Sequence, residues 1–207
     1  MKKEELDSLI KVSGYGTGAI FTIILLFSWP IIEFPTVLRS LTTSVTIVVL
    51  FWGAYFKWFW KMPVLKELLY RPNISGTWKG RLVSEYLDKE GKPTQKKFFI
   101  AIRQNFLDTS ITTFTDSFMG VSYAENLLIN DTMGVKRLIY LYRKDTADIG
   151  VQEHNQGACE LIIDERLPMK MAGRYWSNIK TKGVIEVSKI SNDCILSFQE
   201  GLNITEE

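Results

Sequence analysis

Rings and cations at alternating positions are the part of this 207-residue chain best suited to chemistry. Tyr140 and Tyr142 fall on one face of a β-patterned segment with Leu138, and Arg143 and Lys144 close that segment. Gly173, Tyr175 and Ser177 share a face of another, which runs into Asn178 and Lys180 to Lys182. A pocket for a flat anionic ligand needs stacking rings with cationic or amide donors at its rim, and these segments offer both. Aromatics at alternating strand positions also fill a barrel core that has no ligand.

Enzyme chemistry is not visible. The sequence contains no G-x-S-x-G, H-E-x-x-H or P-loop pattern. The one histidine, His154, sits in the polar stretch 152–157 and reads as a solvated loop side chain, with Asp145, Asp148 and Glu153 flanking the same loop. Asp164 and Glu165 before Arg166 read as a charged turn. Cys159 and Cys194 are too few for a disulfide framework or a zinc site and read as small core or surface residues. Neither catalytic residues, a metal nor a cofactor is expected.

The elements that must carry the rings are strands. From Ile74 onward the apolar pattern has period two: Trp78, Gly80, Leu82, Ser84 and Tyr86 on one face, then Phe98, Ile100, Ile102, Gln104 and Phe106 after the turn-rich 88–93. Further strands are expected at 109–115, 118–129, 136–142, 158–163, 169–177 and 183–189, with no amphipathic helix of convincing length between them. About eight antiparallel strands in 134 residues suit a small closed, lipocalin-like barrel, which removes exposed edges and can hold one small ligand. A two-sheet sandwich is the alternative.

The first third of the chain is built for another solvent. Residues 12–32 and 40–56 contain no charged side chain, and as helices would extend ~31 Å and ~26 Å, close to the thickness of a bilayer core. With Pro30 and Pro35 and only residues 33–39 between them, they are expected to form a transmembrane hairpin. Lys2, Lys3 and Lys11 precede it, Lys57, Lys61, Lys66 and Arg71 follow it, and Arg39 alone lies between, so both ends are expected in the cytoplasm. This organises the chain into a flank (1–11), a hairpin (12–56), an interfacial linker (57–73) that is either an amphipathic junction or a plain tether, and a cytosolic β domain (74–207). Residues 1–73 hold 8 basic against 5 acidic side chains, so +3; residues 74–207 hold 17 against 18, so −1. The net +2 is therefore a membrane-flank signal, and duplex nucleic acid is excluded as the default partner. Gly14, Gly16 and Gly18 lack the preceding strand of a phosphate loop; Gly14 and Gly18, one turn apart, suit close helix packing, within the hairpin or between copies.

Gly76-Thr77-Trp78-Lys79-Gly80 at the first strand, Ile102 to Phe106, Leu138 to Tyr142, Gly173 to Ser177 and Thr181 to Ile185, in this order after a hairpin, resemble the two-transmembrane β-barrel effectors of bacterial CBASS antiphage systems. The resemblance implies an inner-membrane receptor. Its barrel would bind a cyclic oligonucleotide second messenger from a partner nucleotidyltransferase, and binding would control self-association of the spans in the lipid bilayer and loss of membrane integrity. On that reading Trp78, Gln104, Tyr140, Tyr142, Arg143, Tyr175 and Thr181 are the expected ligand contacts. Rings would stack on bases, Arg143 would pair with phosphate, and Gln104 and Thr181 would read base edges or backbone. The competing classes are a membrane-tethered carrier of apolar molecules and an anchor that docks a protein partner. The ligand could activate or restrain the effector, since a ligand shifts an equilibrium only by its differential affinity for two states.

Overall fold

The computed structural model describes residues 3–29, 33–65, 69–87, 91–130, 134–145 and 155–204. They fall into two compact units, Met1–Arg71 and Pro72–Glu207. His154, Asp148 and Glu153 lie outside the described residues.

The first unit holds α1 (Lys3–Phe27), α2 (Phe34–Lys57) and a 3-10 turn at Phe59–Lys61. Leu6–Phe27 and Phe34–Lys57 are each long and apolar enough to cross a membrane. The boundaries differ from those expected. α1 begins before the uncharged run and stops at Phe27, with Pro30, Ile31 and Ile32 outside the described residues. Pro35 starts α2 instead of breaking it, because the first turn of a helix has no acceptor for the N–H that proline lacks. Arg39, expected in the connecting loop, is therefore helical.

The antiparallel helices meet along a seam of small polar residues. Trp52 Nε1 donates to Ser13 Oγ at 2.8 Å, and Ser40 and Ser44 are buried with their hydroxyls donating to carbonyls four residues back. A Cβ at Gly16 would stand 3.7 Å from Val48, whereas one at Gly14 or Gly18 would meet nothing within 4 Å. These two glycines thus lie outside the contact between α1 and α2.

The second unit is a closed meander of β1 (Gly76–Leu87), β2 (Pro93–Gln104), β3 (Thr109–Phe114), β4 (Met119–Asn130), β5 (Val135–Asp145), β6 (Gln156–Asp164), β7 (Lys170–Ser177) and β8 (Lys182–Ser191). Each strand pairs antiparallel with the next and β8 returns to β1, so the sandwich alternative does not form. Period-two patterning sends Trp78, Ile100, Leu138, Tyr140, Leu161 and Ile185 into one core. β2 departs from that pattern, since Phe98 to Ile102 are buried on both faces. The cause is a short helix after the last strand, α3 (Phe198–Asn203), which packs with Ile195 over Phe99, Ala101 and Phe114 on the outer wall. The rings of Phe99 and Phe198 meet edge to face at 5.5 Å. Ser197 caps α3 by accepting from Glu200 N at 3.1 Å, while Glu200 Oε2 accepts from Leu196 N.

Candidate functional site

The meander places the β1–β2, β3–β4, β5–β6 and β7–β8 connections around one end of the barrel, the mouth. The chain enters at the other end, the base. The seven residues expected to contact a ligand divide between them.

Trp78 and Gln104 stand at the base, and their polar atoms are taken by their own chain. Trp78 is fully buried and its Nε1 donates to Ile74 O at 3.0 Å. Gln104 accepts from Ile74 N at 2.9 Å and donates through Nε2 to Pro72 O at 3.1 Å, so its amide ties the segment that enters β1 to the wall. Thr77 Oγ1 donates to Asp193 O at 2.6 Å and accepts from Ile195 N, which fastens the C-terminal segment to the same end.

Tyr140, Tyr142, Tyr175 and Thr181 lie toward the mouth. The three tyrosines line an inner cavity of about 20 Å³, room for about one water. Above it an outer cleft of about 190 Å³ is lined by Ser84, Lys96, Phe118, Lys144, Tyr175 and Thr181 among others. The rings of Tyr140 and Tyr142 lie 6.1 Å apart, tilted by 54°. Thr181 and Ser177 hold their hydroxyls 2.7 Å apart across the β7–β8 turn.

Two of the three mouth tyrosines have a glycine as a cross-strand partner, Tyr142 with Gly157 and Tyr175 with Gly183, whereas Tyr140 pairs with Cys159. A Cβ on Gly157 would come within 2.5 Å of the Tyr142 hydroxyl, and one on Gly183 within 2.9 Å of the Tyr175 ring. The missing side chains let both rings lie along the wall.

Burial, more than any neighbouring charge, pushes the hydroxyl pKa of Tyr140 and Tyr142 well up. Tyr175 is raised too, chiefly by burial, which outweighs the hydrogen bond from Ser84. All three therefore remain neutral hydroxyls at physiological pH, able to donate. Cys159, beside Tyr140, is pushed up to about 12 by burial, so its thiol is a core group and not a nucleophile.

Arg143, expected to pair with phosphate, is exposed on the outer wall, one residue out of phase with Tyr142. The cation that alternation carries inward from Tyr140 and Tyr142 is Lys144, whose ammonium sits 4.1 Å from the centre of the Phe118 ring. Burial, with a smaller contribution from Lys96, lowers its pKa. Lys96 reaches the same cleft from β2, where it pairs with the inward Leu82. β5 runs on to Asp145, beyond the expected end at 142, so that counting by twos reaches Lys144; Phe118, expected to open the strand 118–129, lies instead in the β3–β4 turn. A larger groove of about 580 Å³ is lined by Glu85, Glu160, Arg174, Trp176 and Lys182 among others, and Lys182 pairs there with Glu85 at 3.0 Å.

A family model described as "Cap15, cyclic dinucleotide receptor domain" matches residues 69–189, more than half of the chain. The chain is also similar to a protein of Escherichia albertii named CD-NTase-associated protein 15, at 27% identity over 201 residues, covering 90% of this chain and 97% of that one.

Proposed function

This chain belongs to the Cap15 cyclic dinucleotide receptor family, and from that premise we propose that the barrel mouth binds a cyclic dinucleotide and couples it to self-association of α1 and α2 within a membrane. The observation that carries the reading is the mouth itself: Tyr175 and two inward-facing lysines line the outer cleft, with Tyr140 and Tyr142 around the small cavity beneath it, the combination of rings and cations that a flat dianion requires. Tyr175, which lines the outer cleft, would stack on a base, with Thr181 at the rim and Tyr140 and Tyr142 beneath. Trp78 and Gln104 would support the barrel from its base. The ligand would be the product of a partner nucleotidyltransferase of the kind for which the Escherichia albertii relative is named.

Residues 12–56 would be the membrane hairpin of a bacterial inner-membrane protein, 57–73 the interfacial linker and 74–207 the cytosolic sensor. The basic residues gathered at the two ends of the hairpin support a cytoplasmic location for both termini. Gly14 and Gly18 are free of the α1–α2 seam, which supports their use between copies. Ligand binding would shift assembly by its differential affinity for the assembled state, and assembled hairpins would breach the bilayer. A carrier of apolar molecules requires an apolar interior space, and an inner cavity of about 20 Å³ does not supply one.

Titration of the full-length protein in lipid nanodiscs with cyclic di- and trinucleotides tests the receptor step, and dye release from vesicles with the ligand that binds tests the effector step. Micromolar or tighter binding with ligand-dependent release is expected. Silence across the panel from folded protein would remove the reading.

A further inference from the structure

We propose that Lys96 and Lys144 are the phosphate contacts of the mouth, and that the β3–β4 turn holds both in place through Asp116 and Phe118 until the ligand's phosphates take them over. The inference rests on the reading of the mouth as a cyclic dinucleotide site. Its starting point is that one turn restrains both cations. Lys96 Nζ donates to Asp116 Oδ1 at 3.1 Å and to Ser117 Oγ at 2.6 Å, while Lys144 Nζ lies 4.1 Å from the centre of the Phe118 ring. The turn is itself ordered: Thr115 N donates to Phe118 O at 3.0 Å, and Phe118 N donates back to Thr115 Oγ1 at 3.1 Å.

Charge and chemistry point the same way. Both lysines line the 190 Å³ cleft, and among the described residues no carboxylate lines it. Asp116 reaches Lys96 from the turn outside the cleft, held well into its ionised range by that hydrogen bond. Lys144 faces a ring and not an acid, in a setting that disfavours its charge through burial and then through Lys96. A cyclic dinucleotide carries two phosphodiesters of one negative charge each, which matches two cations in one cleft. A phosphodiester oxygen offers Lys96 the same kind of acceptor as Asp116, so the carboxylate competes with the ligand for that ammonium. Engaging both lysines would free the Asp116 and Phe118 side chains, which gives the mouth groups that respond to occupancy.

The test titrates full-length protein in nanodiscs with cyclic di-AMP, cyclic di-GMP and cyclic GMP–AMP, and carries forward whichever binds wild type most tightly. Lys96→Gln and Lys144→Gln are each expected to weaken binding about tenfold or more, the loss of one charge-assisted hydrogen bond. Lys144→Arg should keep most of the affinity, and Arg143→Gln should bind as wild type. Asp116→Asn should tighten binding severalfold in the wild-type background and leave it unchanged in Lys96→Gln, a non-additivity expected of direct competition. Thermal melting of every variant separates unfolding from lost contact, and the gain in Asp116→Asn cannot come from misfolding. Lysine variants that melt and bind like wild type would overturn this assignment alone. A wild-type protein silent to all three dinucleotides would overturn the receptor reading and this inference with it.

Discussion

The base and the mouth of the barrel both carry aromatic and polar side chains and do opposite things. At the base an indole and an amide, Trp78 and Gln104, spend their hydrogen bonds on Ile74 and Pro72. At the mouth, tyrosine rings lie against glycines, and two lysines face an open cleft. A buried polar group that its own chain satisfies contributes to stability, whereas cations that line a solvent-open cleft are available to a ligand. Residue type alone therefore does not separate scaffold from site; whether each polar group lies inside the wall or lines the cleft does.

The contrast is open to direct attack. The largest effect is expected at the base, where Trp78→Ala should lower unfolding free energy by about 3–5 kcal/mol, read as the shift of the urea midpoint. If that variant unfolds at the wild-type midpoint, the base is not the scaffold. Gln104→Leu should cost about 1–3 kcal/mol by leaving the Ile74 N–H and the Pro72 carbonyl unpaired, with nucleotide affinity unchanged in the molecules that remain folded. A selective loss of affinity there would instead make Gln104 a ligand contact.

At the mouth the order reverses. Tyr175→Ala should cost about 1–3 kcal/mol in nucleotide affinity, the worth of one base stack, and less in stability than Trp78→Ala. Equal losses in stability would erase the distinction between the two ends.

Lys144 supplies a pH test. Because folding lowers its pKa, folding disfavours its charged form; that cost is fully present below the folded pKa and fades as pH rises through it toward the unfolded value of about 10.4. A bound phosphate favours the charged form. Nucleotide affinity should therefore fall as pH rises through the lowered pKa, and Lys144→Arg, which stays charged, should flatten that fall. The smallest effect is expected for Thr181→Val, which removes the 2.7 Å contact with the Ser177 hydroxyl and should change affinity or stability by about 0.5–1.5 kcal/mol.

Much of the architecture was legible because it rests on local periodicity. Alternation at Trp78 to Tyr86 and at Leu138 to Tyr142 marks strands with one apolar face, and two uncharged runs mark helices suited to a bilayer; the alternation from Phe98 marks a strand too, but one buried on both faces. Helix ends were less legible. Pro35 reads as a breaker in isolation, yet the first turn of a helix tolerates it, and α1 ends at Phe27 within an apolar run that continues to Ile32. α3 was hidden because six residues carry too little periodicity to stand out, and the residues it covers, Phe99 and Ala101, read in isolation as the outer face of an alternating strand.

For the site, the sequence by itself determined which side chains share a face: period two puts Tyr140, Tyr142 and Lys144 on one side of β5 and Arg143 on the other. Tertiary structure alone decided which faces meet. Closure of β8 onto β1 brings the ends of β1, β5 and β7 and the β3–β4 turn around one cleft, so that Lys96, Phe118 and Lys144 become neighbours although 48 positions separate the first from the last. It also decided that Gln104 is occupied, because the groups that satisfy it lie some thirty residues earlier in the chain. The physical reason is range: backbone geometry sets which way a side chain points from its nearest neighbours, whereas the partner of a polar atom is set by packing between segments far apart in sequence.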